Sequence, residues 1–233
     1  MVFEKIFQIF TSTELLGYYF EGFGNTLILT FVSAIIGLVL GFIVAIVKIS
    51  AEQYKLMKIP GIICNLYTTV FRGTPVALQL FIMVFAVFAI PGFKPYAVMI
   101  TFGINSGAYV SESIRAGIAS VDKGQMEAGR AVGLTWLQTM IKIILPQAVK
   151  NIIPAIGNEL IALLKETSIV SLVGYTVGTL TFDLNAASDT VFRQVQDFLA
   201  SGLISACFYL VIVYVMQFII KIIERRLRAS DRR

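Results

Sequence analysis

The sequence predicts an all-α membrane protein with five transmembrane helices, and composition, span length and charge distribution each lead there. Of the 233 residues, 57% are hydrophobic and 14% charged, with a mean hydropathy of +0.83. Soluble domains carry roughly 45–50% apolar residues and about 25% charged ones, so the solvent this chain is built for is a bilayer. Composition also removes function classes. With no histidine in the chain, serine-triad chemistry, imidazole bases and most zinc sites are excluded. Cys64 and Cys207 lie far apart in apolar stretches, which indicates neither a disulfide framework nor a metal motif.

The spans are expected at about 22–48, 61–93, 95–118, 151–181 and 198–221, within one domain covering 1–233. The first is uncharged from Gly22 to Val47, longer than the ~20 residues a crossing needs and too long and too late for a signal-peptide core. The second follows Pro60-Gly61 and is interrupted by Arg72-Gly73-Thr74-Pro75. The third starts at Pro95. The fourth holds Glu159, Lys165 and Glu166 between apolar flanks, and the fifth is the uncharged run Phe198 to Ile220. Gly37/Gly41, Gly103/Gly107 and Gly174/Gly178 repeat the spacing that lets helix backbones approach closely in lipid.

Basic residues set the orientation, because cytoplasmic loops collect Lys and Arg. Lys48, Lys55 and Lys58 separate the first two spans. Arg115, Lys123, Arg130, Lys142 and Lys150 flank the third and fourth, and Lys221, Arg225, Arg226, Arg228, Arg232 and Arg233 follow the fifth. Fourteen of nineteen bases thus share one side, against Lys5, Lys94 and Arg193 on the other. This implies an outside N-terminus and a cytoplasmic C-terminus. The net charge of +5 is an orientation signal, and nucleic acid is not an expected partner.

The segment 121–150 between spans three and four is patterned as two helical pieces rather than as a short polar link. Asp122 is placed to cap a helix over Gln125–Val132, and Gly133 to end it in a left-handed turn. Thr135 can cap a second piece whose stripe of Trp136, Leu137, Met140, Ile141 and Ile144 suits the membrane interface. Pro146 is expected to stop or bend it. Such an elbow is stiff enough to pass force to a cytoplasmic partner.

Glu127-Ala128-Gly129, then Gly133 after three residues, then Ile143-x-Leu145-Pro146 after nine more, resembles the EAA loop of binding-protein-dependent ATP-binding-cassette importers. Gly129 stands where the commonest form has a second alanine. The segments Phe71-Arg72-Gly73-Thr74-Pro75 with Gln79, Gly107-Ala108-Tyr109 with Glu112, Arg115-Ala116-Gly117-Ile118 and Lys165-Glu166-Thr167-Ser168 are similar to the polar amino-acid branch, whose permeases serve histidine, glutamate, glutamine, arginine and opines. The likeness spans about residues 20–228. It implies the type I importer permease fold, with Gln125, Glu127, Ala128, Gly129 and Gly133 coupling to an ATPase subunit. It also implies a second permease subunit in a homo- or heterodimer, two ATPase subunits, an extracytoplasmic solute-binding protein, and a bacterial or archaeal cytoplasmic membrane. No cofactor is expected in this chain; ATP and Mg belong to the partner, since no G-x-x-x-x-G-K-[ST] loop occurs here.

A charge at mid-bilayer is costly and wants a partner or a wet cavity. At 1.5 Å per residue, Arg72 lies roughly 15 Å into span two and Glu159 roughly 12 Å into span four. One reading pairs Arg72 with Glu159 or Glu166 as a structural or gating network that includes Lys165. The other lets Glu159, which shares a small-residue face with Ala155 and Ala162, read the cationic side chain of arginine, lysine or histidine. Asn105 and Tyr109 on span three, with Asn158 and Ser168, are further candidates for substrate contacts; Ser171 is a weaker one. Glutamine or glutamate is the alternative cargo. An ion-coupled secondary transporter is the rival class, though such proteins usually carry inverted repeats.

The importer reading expects an ATPase to copurify with the chain and uptake to vanish when that ATPase's phosphate-loop lysine is replaced. Uptake driven by an ion gradient in ATP-free vesicles would identify the rival.

Overall fold

The computed structural model describes residues 2–90, 96–173 and 183–229. Among these residues ten helices follow in order: α1 (Val2–Thr11), α2 (Thr13–Gln53), α3 (Lys58–Gly73), α4 (Val76–Ile82), α5 (Ala97–Ala119), α6 (Lys123–Ala131), α7 (Trp136–Thr139), α8 (Leu145–Glu166), α9 (Leu184–Val195) and α10 (Phe198–Ala229). Short π and 3-10 segments extend α4 to Val87, join α7 to α8 across Met140–Ile144 and carry α8 on to Val173. Among the described residues there is no strand.

Among the described residues, three helices are long and apolar enough to cross a membrane: α2, the run Trp136–Val173 and α10. A fourth candidate is the pair Lys55–Gly73 and Val76–Val87, bent by 109° at the break. The break falls where the sequence placed it, because Gly73 ends α3 and Pro75, lacking an N–H, can only precede the next helix. α5 is less apolar than these helices for a physical reason. Its residues Thr101, Asn105, Ser106 and Ser111 are buried against protein, so this helix meets neighbouring helices where the others meet lipid.

α2 and α5 form the most extensively packed pair. A methyl on Gly37 would stand 2.8 Å from Ser106 Cβ, and one on Gly41 2.6 Å from Val110 Cγ1. In return, a methyl on Gly103 would stand 2.5 Å from Ile36 Cγ2. The two small-residue pairs read from the sequence therefore face one another. Gly174 and Gly178 lie outside the described residues, as do Lys94 and Pro95.

Two boundaries differ from expectation. The first span was expected from residue 22, but α2 begins at Thr13, where Ser12 Oγ accepts from the Leu15 amide at 3.3 Å. Its 41 residues run about 60 Å, well beyond a hydrocarbon core of about 30 Å. Pro146 does not stop the elbow helix. A π turn over Met140–Ile144 precedes it, and that widened turn accommodates the proline, so the helix runs through from Trp136 to Val173.

Gly41→Ala is expected to cost about 1–3 kcal/mol by overpacking. Gly24→Ala, with nothing within 4 Å of the added methyl, should cost nothing. Thermal unfolding of the two variants in detergent checks the contrast.

Candidate functional site

The loop 121–150 folds as the sequence pattern proposes. Asp122 Oδ1 accepts from the Gly124 amide at 2.7 Å and starts α6 at Lys123, two residues earlier than expected. Gly133 has φ +87; its amide donates to Arg130 O at 3.0 Å and the Leu134 amide to Gly129 O at 3.1 Å. That pair of bonds closes the helix in the left-handed turn that glycine adopts without strain. Thr135 and Gln138 form a reciprocal capping box on α7. Tyr54 meets Trp136 edge to face, 6.0 Å between ring centroids, which ties the elbow to the end of α2.

Gln125, Glu127, Ala128 and Gly133 are exposed, whereas Gly129 is buried. A methyl on Gly129 would lie 2.5 Å from Thr139 Cγ2. The departure from the usual alanine therefore has a local cause: glycine lets α6 close onto the start of the next helix. The sequence alone pointed only to a weakened helix.

Above the elbow, on the same side of the bundle, the structure assembles a charged cluster that the sequence reading missed. Glu112 on α5 pairs with Lys48 on α2, with Arg115 on its own helix at 2.9 Å, and with Arg72 on α3 at 3.9 Å. Lys48 and Glu112 are 10% and 14% exposed, against 44% for Arg72 and 43% for Arg115. Lys48 also donates to Thr68 Oγ1 at 3.1 Å. Arg72 lies over the Tyr109 ring, Cζ 5.3 Å from its centroid, a placement that favours a cation. These groups line an open cavity of about 850 Å³ together with Lys58, Glu52, Asn65 and Thr69. One carboxylate thus joins three helices, and cations outnumber acids around the cavity. Glu112 and Arg115 were visible only as an i, i+3 pair in a family motif; nothing in the linear order relates them to Lys48.

The pairing of Arg72 with Glu159 or Glu166 is corrected here. The salt bridge that the structure gives Arg72 is to Glu112, because α3 packs against α5 and places Arg72 beside Tyr109 and Glu112. Among the described residues, no salt bridge joins Arg72, Lys165, Glu159 and Glu166 to one another.

The remaining candidates fall into separate places. Asn105 is buried and donates to Gln79 Oε1 at 2.7 Å and Phe71 O at 3.3 Å. Gln79 in turn donates to Phe71 O, Thr74 O and Thr74 Oγ1 at 2.8 to 3.0 Å. The two amides satisfy carbonyls freed by the broken span, a requirement in a medium without water. Tyr109, half-buried, faces the Arg72 cavity. Glu159, also half-buried, lines a different and smaller cavity of about 120 Å³ with Phe31, Ser106, Val110 and Leu160, between α2, α5 and α8. Asn158 beside it is exposed, as is Lys165. Ser168 Oγ donates to Lys165 O at 2.8 Å, and Ser171 Oγ accepts from Asn185 Nδ2 at 2.7 Å.

Comparison with known proteins settles the family. The signature described as "Binding-protein-dependent transport system inner membrane component" matches residues 37–229. This chain belongs to that family. The arginine transport system permease protein ArtQ of Bacillus subtilis (strain 168) is 42% identical over 214 residues, covering 91% of this chain and 93% of the relative. The putative glutamine transport system permease protein GlnP of Rickettsia conorii (strain ATCC VR-613 / Malish 7) is 41% identical over 210 residues, covering 89% and 91%. Among solved structures, an amino acid ABC transporter crystallised with histidines superposes with a TM-score of 0.82 at 35% identity, covering 94% of this chain and 98% of that one. The MetNI methionine ABC transporter in an inward-facing conformation gives a TM-score of 0.76 at 21% identity, covering 93% and 99%, and speaks to the fold alone.

The resemblance read from the EAA loop and span motifs is borne out. The fold is that of type I ABC importer permeases. As a binding-protein-dependent inner-membrane component, the chain is a multi-pass permease whose ATPase is a separate subunit and whose solute arrives on a binding protein.

Glu112→Ala leaves Lys48 buried and unpaired and is expected to cost about 3–5 kcal/mol. Replacing Lys48 and Glu112 together by Met should recover a large part of that loss, as read from thermal unfolding in detergent.

Proposed function

We propose that this chain forms the translocation path of an ATP-driven importer for a polar amino acid with a cationic side chain. In this reading α5 is the fifth crossing beside the three long helices and the bent pair. The N-terminus lies outside, the C-terminus in the cytoplasm, and two permease subunits sit on two ATPases. α6 seats on an ATPase through its exposed Gln125, Glu127 and Ala128. Closure of the ATPases on ATP moves α6, and the elbow, stiffened by its two caps and the Tyr54–Trp136 contact, passes that movement to the spans. The path then opens outward to receive solute, and hydrolysis returns it, an alternating-access cycle between two conformations.

The observation that carries the substrate class is Glu159. Its candidate internal partner, Arg72, pairs with Glu112, and its own surroundings form a cavity of about 120 Å³. A glutamate on the wall of a largely apolar space favours an ammonium or guanidinium over a neutral amide. Tyr109 is the proposed second contact, reached through the larger cavity; Asn158 is exposed one position before Glu159. Asn105 and Ser168 already have bonded partners within the fold and serve the substrate by shaping the bundle. Arginine is the cargo named for one relative and glutamine for another, so the two amino acids form the natural pair for a test.

Glu159→Gln should lower arginine uptake relative to glutamine uptake by about 10- to 100-fold, the value of roughly 1.5–3 kcal/mol for a hydrogen bond to a charged group. Vesicles reconstituted with the ATPase and binding protein give the measurement. An unchanged ratio removes Glu159 as the selector and leaves glutamine as the better reading.

A further inference from the structure

α1, which the sequence analysis did not anticipate, has a construction of its own. It folds across the end of the bundle opposite the elbow. Ile9 is fully buried, and Val2 and Ile6 pack with it against Leu15 and Tyr19 of α2, Leu184, Val191 and Val195 of α9, and Ala200 and Ile204 of α10. A second apolar stripe points elsewhere. Phe3 is 87% exposed, Phe7 71% and Phe10 56%.

At 3.6 residues per turn, Val2, Ile6 and Ile9 occupy an arc of about 60°, and Phe3, Phe7 and Phe10 a second arc of about 60° centred roughly 100° away. The rest of the circumference carries Glu4, Lys5, Gln8 and Thr11. There Lys5 Nζ donates to Gln8 Oε1 at 3.3 Å and Thr11 Oγ1 to Phe7 O at 2.9 Å. The helix therefore has three sides: one on protein, one of phenylalanines, one polar. A helix in water would gain nothing from the second side, and a helix inside a bundle would not carry the third. A helix lying flat at a membrane surface needs all three.

Other exposed rings lie at the same end of the bundle. Phe20 of α2 is 62% exposed and meets Phe208 edge to face at 5.5 Å; Phe198 at the start of α10 is 68% exposed and meets Phe192 at 5.7 Å. From Phe20, the exposed apolar side of α2 runs on through Ile28, Phe31 and Ile35, residues of a membrane-crossing helix. The stripe on α1 thus lies at the same end of the bundle as the start of a surface read as facing lipid. We propose that α1 is an interfacial anchor, with Phe3, Phe7 and Phe10 inserted at the head-group and acyl-chain boundary of the leaflet opposite the elbow. There it holds the outer ends of α2, α9 and α10 together against the bilayer.

The chain contains a single tryptophan, Trp136, which makes fluorescence a direct test. In a Trp136→Phe background, Phe7→Trp and Gln8→Trp are introduced separately into the full-length chain, reconstituted in phosphatidylcholine vesicles with and without acyl-brominated lipid. Phe7→Trp should lose about half or more of its emission in the brominated vesicles and resist aqueous acrylamide, as a ring buried in the interface does. Gln8→Trp should show the reverse. Phe10→Trp must behave as Phe7→Trp, which guards against one variant misfolding. Equal acrylamide quenching at positions 7 and 8 would place α1 in water, and protection of position 7 from both quenchers would place it against protein, such as a second copy of the chain. Either result overturns the anchor.

Discussion

The close approach of α2 and α5 is the contact on which the rest of the molecule depends. In lipid the hydrophobic effect offers little to drive two apolar helices together, so association rests on van der Waals contact and on bonds between polar groups. Glycines at 37, 41, 103 and 107 remove the side chains that would hold the backbones apart, and Ile36, Leu40, Ser106 and Val110 fill the resulting hollows. At that separation Ser33 Oγ reaches Met99 O at 3.1 Å. About four turns farther along, the same approach brings Lys48 within reach of Glu112. The interlock and the charge cluster are thus two ends of one interface.

The broken second span shows how a membrane fold accommodates irregular backbone. Gly73-Thr74-Pro75 frees carbonyls that no water can satisfy in the bilayer, and the side chains of Gln79 and Asn105 reach them. Just before the 109° bend, Arg72 at the end of α3 meets Tyr109 and Glu112 of α5. A polar residue on α5 therefore serves the architecture in one place and the cavity in another, although the two uses lie only a helical turn apart along the chain. This division was not legible in the linear sequence: Asn105 and Tyr109 at i, i+4 look equivalent as candidate substrate contacts, and only their partners distinguish them.

The elbow was the most legible part of the chain because its determinants are local. A cap at Asp122, a glycine at 133 and a Thr135–Gln138 box each act within a few residues, so propensity and spacing suffice. Charges in the spans were less legible. The expectation that Arg72 meets Glu159 or Glu166 rested on depth along two helices, and depth ignores direction around them. α1 escaped notice altogether, since ten residues are too few to register as a crossing, and its three-sided pattern acquires meaning only beside α9 and α10.

By itself the sequence determined that the chain lives in a bilayer, where its long apolar runs fall, which loop forms the elbow, and the family to which it belongs. Each of these follows from composition or from spacing within a single segment, where the solvent and the helix period act directly on neighbouring residues. Tertiary structure alone decided which charges meet, that Glu112 gathers cations from three helices, that Glu159 lines a separate cavity, and that Gly129 answers to Thr139. Those outcomes depend on the rotation and tilt of one helix against another. In lipid these are set by the summed contacts of small residues and polar bonds across the whole bundle, which no single segment records.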